Sequence, residues 1–282
     1  MKIETVGIVG CGLMGSGITE MAARCGYRVI VSEADEGLLS RGLDRIRASL
    51  TRAVSQGKAT QGEMDDALMR IRDTIRLEEF GACDLVVEAV TEDMALKKEV
   101  FATLDRVCPP HTILGSNTSC LCVTEMASVT RRGDRVLGLH FFNPVPVMQL
   151  LEIVRTILTS DETLETGRAF GESLGKTVVV APDRPGFIVS RLLIPYLLNA
   201  IRAVGNSVAS VEDIDQAMKL GTNQPMGPLE LSDLIGLDTM LNIATQMFGE
   251  FKDPVYAPPP VLKRMVLAGH LGRKTRKGFY SY

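Results

Sequence analysis

The hydrophobic pattern changes character once along this chain. Up to about residue 181, short runs rich in Val, Ile and Leu alternate with longer segments whose apolar residues recur every three or four positions. The short runs between turn signals read as strands and the longer segments as amphipathic helices. Strands are expected at 5–9, 28–32, 85–89, 112–116, 135–140, 150–154 and 177–181. Helices are expected at 14–25, 38–55, 64–71, 95–107 and 163–174. Alternation of this kind builds an α/β domain: a mostly parallel sheet with helices on both faces.

Asp183-Arg184-Pro185-Gly186 breaks the pattern. Beyond it no strand-like run recurs, and 187–204, 211–220, 229–235, 239–248 and 261–268 read as helices. The expected organisation is an α/β domain over 1–183, with a helical arm at about 37–72, followed by an all-α domain over 184–282. The first helix of that second domain carries Leu192, Leu193, Pro195, Tyr196, Leu197, Leu198 and Ile201, apolar nearly all round. Such a helix is buried on more than one side. A helical domain of about 100 residues has a modest core, so a homodimer formed through it is the expected way to cover the excess.

Hydrophobic content of 45% and charge of 23% describe an ordinary soluble globular protein. The formal net charge of -3 supplies no electrostatic reason for a nucleic-acid or anionic-membrane partner. No apolar stretch reaches the roughly 18 residues of a membrane span, and Met1–Val6 runs straight into a strand, so a cytoplasmic location is expected. Cys11, Cys25, Cys83, Cys108, Cys120 and Cys122 all fall in the first half, none in a C-x-x-C pair, and only three histidines are present. Reduced thiols and no metal site are the economical reading.

Gly10-Cys11-Gly12-Leu13-Met14-Gly15 is a G-x-G-x-x-G sequence placed between the first strand and the first helix. The first glycine permits the tight turn, the second lets a pyrophosphate approach the backbone, and the third lets helix and strand pack closely. The helix N-terminus adds unpaired N–H groups and a positive dipole end for the phosphates. The second strand is followed by Glu33, with no Arg or Lys in the next four positions. A carboxylate there accepts the ribose hydroxyls and repels a 2′-phosphate, which makes NAD, rather than NADP, the expected cofactor.

His140 closes an apolar strand, is followed by Phe141-Phe142-Asn143-Pro144-Val145-Pro146, and precedes a strand carrying Glu152. An imidazole with a carboxylate on the next strand is the layout of a general base and its orienting partner. Taken alone, such a histidine is more often a buried structural one.

The motifs together resemble the L-3-hydroxyacyl-CoA dehydrogenase family, most closely the short bacterial 3-hydroxybutyryl-CoA dehydrogenases. The residues that carry the resemblance are Gly10–Gly15, Ser116-Asn117-Thr118-Ser119, Gly138–Met148, Pro185-Gly186-Phe187-Ile188-Val189, Met226-Gly227-Pro228-Leu229-Glu230-Leu231 and Gly278-Phe279-Tyr280. They span the whole chain in order. The resemblance implies a Rossmann-like N-terminal domain, a helical C-terminal dimerisation and substrate domain, and reversible NAD-linked oxidation of a 3-hydroxyacyl-CoA thioester. It implies His140 as catalytic base, Glu152 as its partner, and Ser119 and Asn143 at the reacting centre and substrate. Beyond the glycine loop, with its Leu13 and Met14, and Glu33, the implied cofactor contacts are Ala89, Glu92, Lys97, Asn117 and Lys274. Arg41, Arg45, Arg47, Arg52 and Lys58 read either as a solvated helix face or as an arm for coenzyme A phosphates, with Ser49, Arg52 and Lys58 the implied contacts.

Two positions depart from the family's pattern. Ser190 stands where an asparagine that helps position substrate is usual, and Cys120 where the serine is commonly repeated. A serine at 190 keeps a donor and an acceptor on a shorter side chain. It leaves open a second substrate, a hydroxyacyl group such as glyceryl carried on an acyl carrier protein. The 3-hydroxyisobutyrate and 6-phosphogluconate dehydrogenases share the glycine start but use a catalytic lysine, and the His140 segment argues against them. A non-enzymatic NAD-binding protein would leave the His140–Glu152 pair without a task.

Overall fold

The structure is a computed structural model and describes all 282 residues. Its contacts divide the chain into two compact units, Met1–Arg184 and Pro185–Tyr282.

The first unit is built on one eight-stranded sheet. Its strands are β1 (Thr5–Val9), β2 (Arg28–Ser32), β3 (Ile71–Thr74), β4 (Leu85–Glu88), β5 (Ile113–Ser116), β6 (Val136–Phe141), β7 (Leu150–Arg155) and β8 (Thr177–Pro182). The order across the sheet is β3-β2-β1-β4-β5-β6-β7-β8. Every pair is parallel except β6 with β7. Helices α1 (Leu13–Arg24), α2 (Glu36–Ser55), α3 (Gln61–Met69), α4 (Met94–Val107), α5 (Val123–Ala127) and α6 (Asp161–Ser173) fall between the strands. This is the Rossmann-like α/β architecture expected from the alternating pattern. β1 and β4 are buried along their whole length, which is why they read as unbroken apolar runs. The strand order reverses beside β1, and in such sheets the crevice at the carboxyl ends of the strands at that point is where ligands bind.

The structure differs from the pattern-based reading at one strand and at several helix starts. The segment 64–71 was expected to be helical, but α3 stops at Met69 and Ile71-Arg72-Asp73-Thr74 forms the edge strand beside β2. Four residues with two exposed charges carry no alternating signal, because an edge strand buries little. Helix α2 begins two residues early because Asp35 caps the Leu38 N–H at 2.8 Å. α3 begins at Gln61 through a reciprocal capping box between Thr60 and Glu63. Ser160 starts α6 by accepting from the Thr163 N–H at 3.2 Å.

The second unit is all-helical: α7 (Val189–Gly205), α8 (Val211–Thr222), α9 (Pro228–Ile235), α10 (Leu237–Phe251) and α11 (Pro260–Leu267). Two buried aspartates hold it together. Asp215 accepts from the Leu229 and Glu230 N–H groups at the start of α9 and from the Tyr280 hydroxyl. Asp233 accepts from the Phe279 and Tyr280 N–H groups, which fastens the C-terminal segment to α9. A carboxylate at a helix N-terminus also meets the positive end of the helix dipole. No helix in either unit is long and apolar enough to cross a membrane, and all six cysteines are free thiols.

Candidate active site

The glycine loop leaves β1 at Gly10, whose φ of +94° favours glycine, and whose N–H donates to the Ser32 carbonyl at 2.9 Å. A Cβ on Gly15 would lie 1.7 Å from the Gly10 carbonyl oxygen, so only glycine lets α1 start this close to the loop. A Cβ on Gly12 would meet nothing within 4 Å, which leaves the mouth of the α1 N-terminus open. No side chain caps that terminus, so its first N–H groups are available to an anion.

Glu33 follows β2 and is held by two backbone donors, Cys11 N–H at 2.8 Å and Ala34 N–H at 3.0 Å. It borders a cavity of about 430 Å³ that also takes in Gly10, Gly12 and Ala89. The rest of the wall is mainly apolar: Leu38, Ile75, Leu77, Val90, Leu96 and Val100, with no lysine or arginine. A fixed carboxylate beside an apolar slot and an open helix N-terminus has the chemistry of a ribose site, an adenine site and a pyrophosphate site. The residues fit NAD. The apolar wall escaped the sequence reading because it is assembled from four separate segments, none with a motif of its own. Met14, in the first turn of α1, is half-buried and packs in part against the core cluster.

The antiparallel register of β6 and β7 sets His140 directly opposite Glu152. Cross-strand partners have Cβ atoms about 5 Å apart, and here the imidazole Nδ1 reaches Glu152 Oε2 at 2.7 Å. Glu152 is fully buried and His140 nearly so. On the other side of the ring, Ser119 Oγ lies 3.2 Å from Nε2. A carboxylate at Nδ1 favours the tautomer protonated there and leaves the Nε2 lone pair to accept a proton.

Ser119 is placed by a second set of groups, part-buried at Glu92 and fully buried at Glu88 and Lys97. Glu92 Oε1 accepts from the Thr118 hydroxyl at 2.5 Å and from the Ser119 N–H at 2.9 Å, which fixes the turn after β5. Cys120 Sγ also donates to this oxygen at 3.6 Å, and burial pushes its thiol pKa well up, so it stays a neutral thiol. Lys97 extends from α4 to bind Glu88 at 2.6 Å and approaches Glu92 at 3.4 Å. Ser116 donates to the other Glu88 oxygen at 2.6 Å. Both Glu88 and Lys97 are sealed from water, so each charge depends on the other. Glu88 was missed from sequence because it looked like the end of an apolar strand. Asn117 Oδ1 accepts from the Phe141 N–H at 2.9 Å and ties this turn to the end of β6.

A second cavity, of about 270 Å³, brings Asn143 to the same wall system as Leu13, Ser49 and Arg52. Arg45, on the same helix, donates to the Cys11 carbonyl at 3.0 Å and so ties α2 to the glycine loop. Lys58 lies in the turn between α2 and α3 and does not line this cavity. In the second unit Lys274 is paired with Asp238, and Ser190 is half-buried in the first turn of α7. No cluster of His, Cys, Asp and Glu has the arrangement of a metal site.

Residues 5–184 match the family model described as 3-hydroxyacyl-CoA dehydrogenase, NAD binding domain, and residues 186–282 match the one described as 3-hydroxyacyl-CoA dehydrogenase, C-terminal domain. The chain is 52% identical to a 3-hydroxybutyryl-CoA dehydrogenase of Mycobacterium tuberculosis, over 99% of both chains. It superimposes on the crystal structure of M. tuberculosis FadB2 with a TM-score of 0.99 at 52% identity, covering 100% of each chain. The (S)-3-hydroxybutyryl-CoA dehydrogenase of Ralstonia eutropha gives a TM-score of 0.95 at 42% identity, with 100% of this chain and 99% of that one covered. The chain belongs to the 3-hydroxyacyl-CoA dehydrogenase family, and its first unit is an NAD-binding domain.

Proposed function

We propose that the protein interconverts a short-chain L-3-hydroxyacyl-CoA, of the 3-hydroxybutyryl-CoA type, and the 3-ketoacyl-CoA. The observation that carries this reading is the buried His140–Glu152 pair with Ser119 at the imidazole Nε2. The names of the relatives in M. tuberculosis and R. eutropha support the choice of substrate. When bound, NAD supplies the hydride acceptor at the carbinol carbon.

Oxidation of a secondary alcohol also requires the hydroxyl proton to leave. His140 Nε2 takes that proton, while Glu152 holds the Nδ1–H and stabilises the imidazolium that forms. Ser119 Oγ hydrogen-bonds the substrate oxygen and keeps it within reach of the base. In the reverse direction the imidazolium returns the proton to the carbonyl oxygen through the same contacts, which makes the reaction reversible. Asn143, on the wall shared with Ser49 and Arg52, meets the acyl end of the thioester, while Arg52 and Lys58 on the arm attract the coenzyme A phosphates.

The second unit leaves Leu192, Leu220 and Leu267 at least 72% exposed, apolar surface that a second subunit would cover. This supports a homodimer formed through that unit. The free thiols fit a reducing, cytoplasmic setting.

His140→Gln is expected to lower kcat by about 100-fold or more while NADH affinity, read by fluorescence titration, stays within about twofold. Near-normal turnover would remove His140 from the proton transfer. Charge reversal of Arg52 and Lys58 together should raise KM for acetoacetyl-CoA about tenfold, the loss of roughly one charge-assisted contact; an unchanged KM would leave the arm as a solvated helix face. Sedimentation equilibrium should give twice the chain mass of 30.7 kDa, and a monomer at micromolar concentration would contradict the dimer.

A further inference from the structure

Lys176 stands directly after the C-terminus of α6, where Gly175 turns the chain with a φ of +72°. Its side chain folds back into the protein and is buried. The ammonium donates to two backbone oxygens, Val145 O at 2.5 Å and Met148 O at 2.8 Å, and pairs with no carboxylate. Burial accordingly pushes its pKa below the ordinary lysine value. A desolvated cation without a counter-charge is costly to keep. Its donors therefore serve the two carbonyls they reach.

Both carbonyls belong to the turn that joins β6 to β7. Within this turn the Pro144 carbonyl accepts from the Val147 and Met148 N–H groups at 2.9 and 3.0 Å. Buried Val145 also seats against α1 at Gly17, where a Cβ would come within 2.9 Å of the valine Cβ. The turn is thus held by two contacts, the lysine ammonium on its carbonyls and the close fit of Val145 at Gly17. Asn143 rides at its start, exposed, on the cavity wall shared with Ser49 and Arg52. The flanking strands are held differently: β7 is laddered to β6 and to β8 on its two sides. Lys176 therefore governs the turn more than it governs the His140–Glu152 pair.

We propose that Lys176 is a positioning residue for the reaction: its ammonium fixes the β6–β7 turn and so sets Asn143 against the acyl thioester. This rests on the substrate reading above. The two carbonyl contacts are charge-assisted, each of a strength that corresponds to about tenfold or more in an equilibrium constant.

The test compares Lys176→Met, Lys176→Arg and Gly17→Ala in the full-length chain. Lys176→Met should raise KM for acetoacetyl-CoA about tenfold, with kcat within about threefold and NADH affinity within about twofold of the parent. Lys176→Arg, which keeps charged donors, should recover most of the KM, and Gly17→Ala, which crowds Val145, should reproduce the KM effect. Hydrogen exchange gives a readout independent of substrate. In Lys176→Met the Val147 and Met148 amides should exchange faster by about tenfold or more, while those of 151–154 keep their protection. Unchanged exchange at the turn would overturn the proposal, as would an unchanged KM or a parallel loss of NADH affinity. If the parent chain itself turned over no 3-ketoacyl thioester, the functional reading would fail, and the exchange result would still decide whether Lys176 fixes the turn.

Discussion

The single antiparallel pairing in the sheet, β6 against β7, is the constraint on which the site depends. In an antiparallel pair, residues face each other one to one across the ladder, so His140 and Glu152 share a face. A slip of one residue would send Glu152 to the opposite face of the sheet and leave a buried carboxylate with no partner. The register is secured on both sides. β6 pairs with β5 through Gly138, and β7 pairs along its full length with β8. The close fit at Gly138, where a Cβ would sit 2.6 Å from the Val154 Cβ, leaves little room for an alternative register.

Around that pair Glu152, Glu88 and Lys97 are charged groups out of water, and Glu92 beside them is 25% exposed. Glu152 orients the imidazole. Glu88 and Lys97 neutralise each other beneath the turn after β5, and Glu92 gathers the donors of Thr118 and Ser119. These contacts form a continuous series from Ser116 at the end of β5 to Ser119 at the imidazole. Buried ion pairs contribute little net stability relative to apolar packing. Here they fix where the serine hydroxyl sits relative to the imidazole, and preorganisation of that kind is what the proposed proton transfer would require. The same division of labour recurs in the second unit, where Asp215 and Asp233 hold the C-terminal segment rather than a substrate.

The fold was largely legible in the sequence because both of its periods are strong. Seven of the strands are apolar runs bounded by turn residues, and the switch to helices at Asp183–Gly186 is abrupt. The strand that escaped, Ile71–Thr74, is short, polar and at the edge. Helix starts were displaced wherever the cap lies outside the apolar period, as at Asp35, Thr60 and Ser160. In the site, residues that carry chemistry by type stand out in a sequence: the glycines, Glu33, a rare histidine and the carboxylate after it. Residues that act through their surroundings do not. Glu88 looks like a strand terminus and Lys176 like one more surface lysine until the fold buries them. The apolar wall at Leu38, Ile75, Leu77 and Leu96 exists only once distant segments meet.

The central claim is that Glu152 fixes His140 as a base with its lone pair on Nε2. The most direct measurement is the ¹⁵N NMR spectrum of the histidine side chains at a pH where the imidazole is neutral, assigned through His140→Gln. The account predicts a protonated Nδ1 and an unprotonated Nε2 for His140, with that preference lost in Glu152→Ala. A His140 protonated at Nε2, or a tautomer indifferent to Glu152, would contradict it.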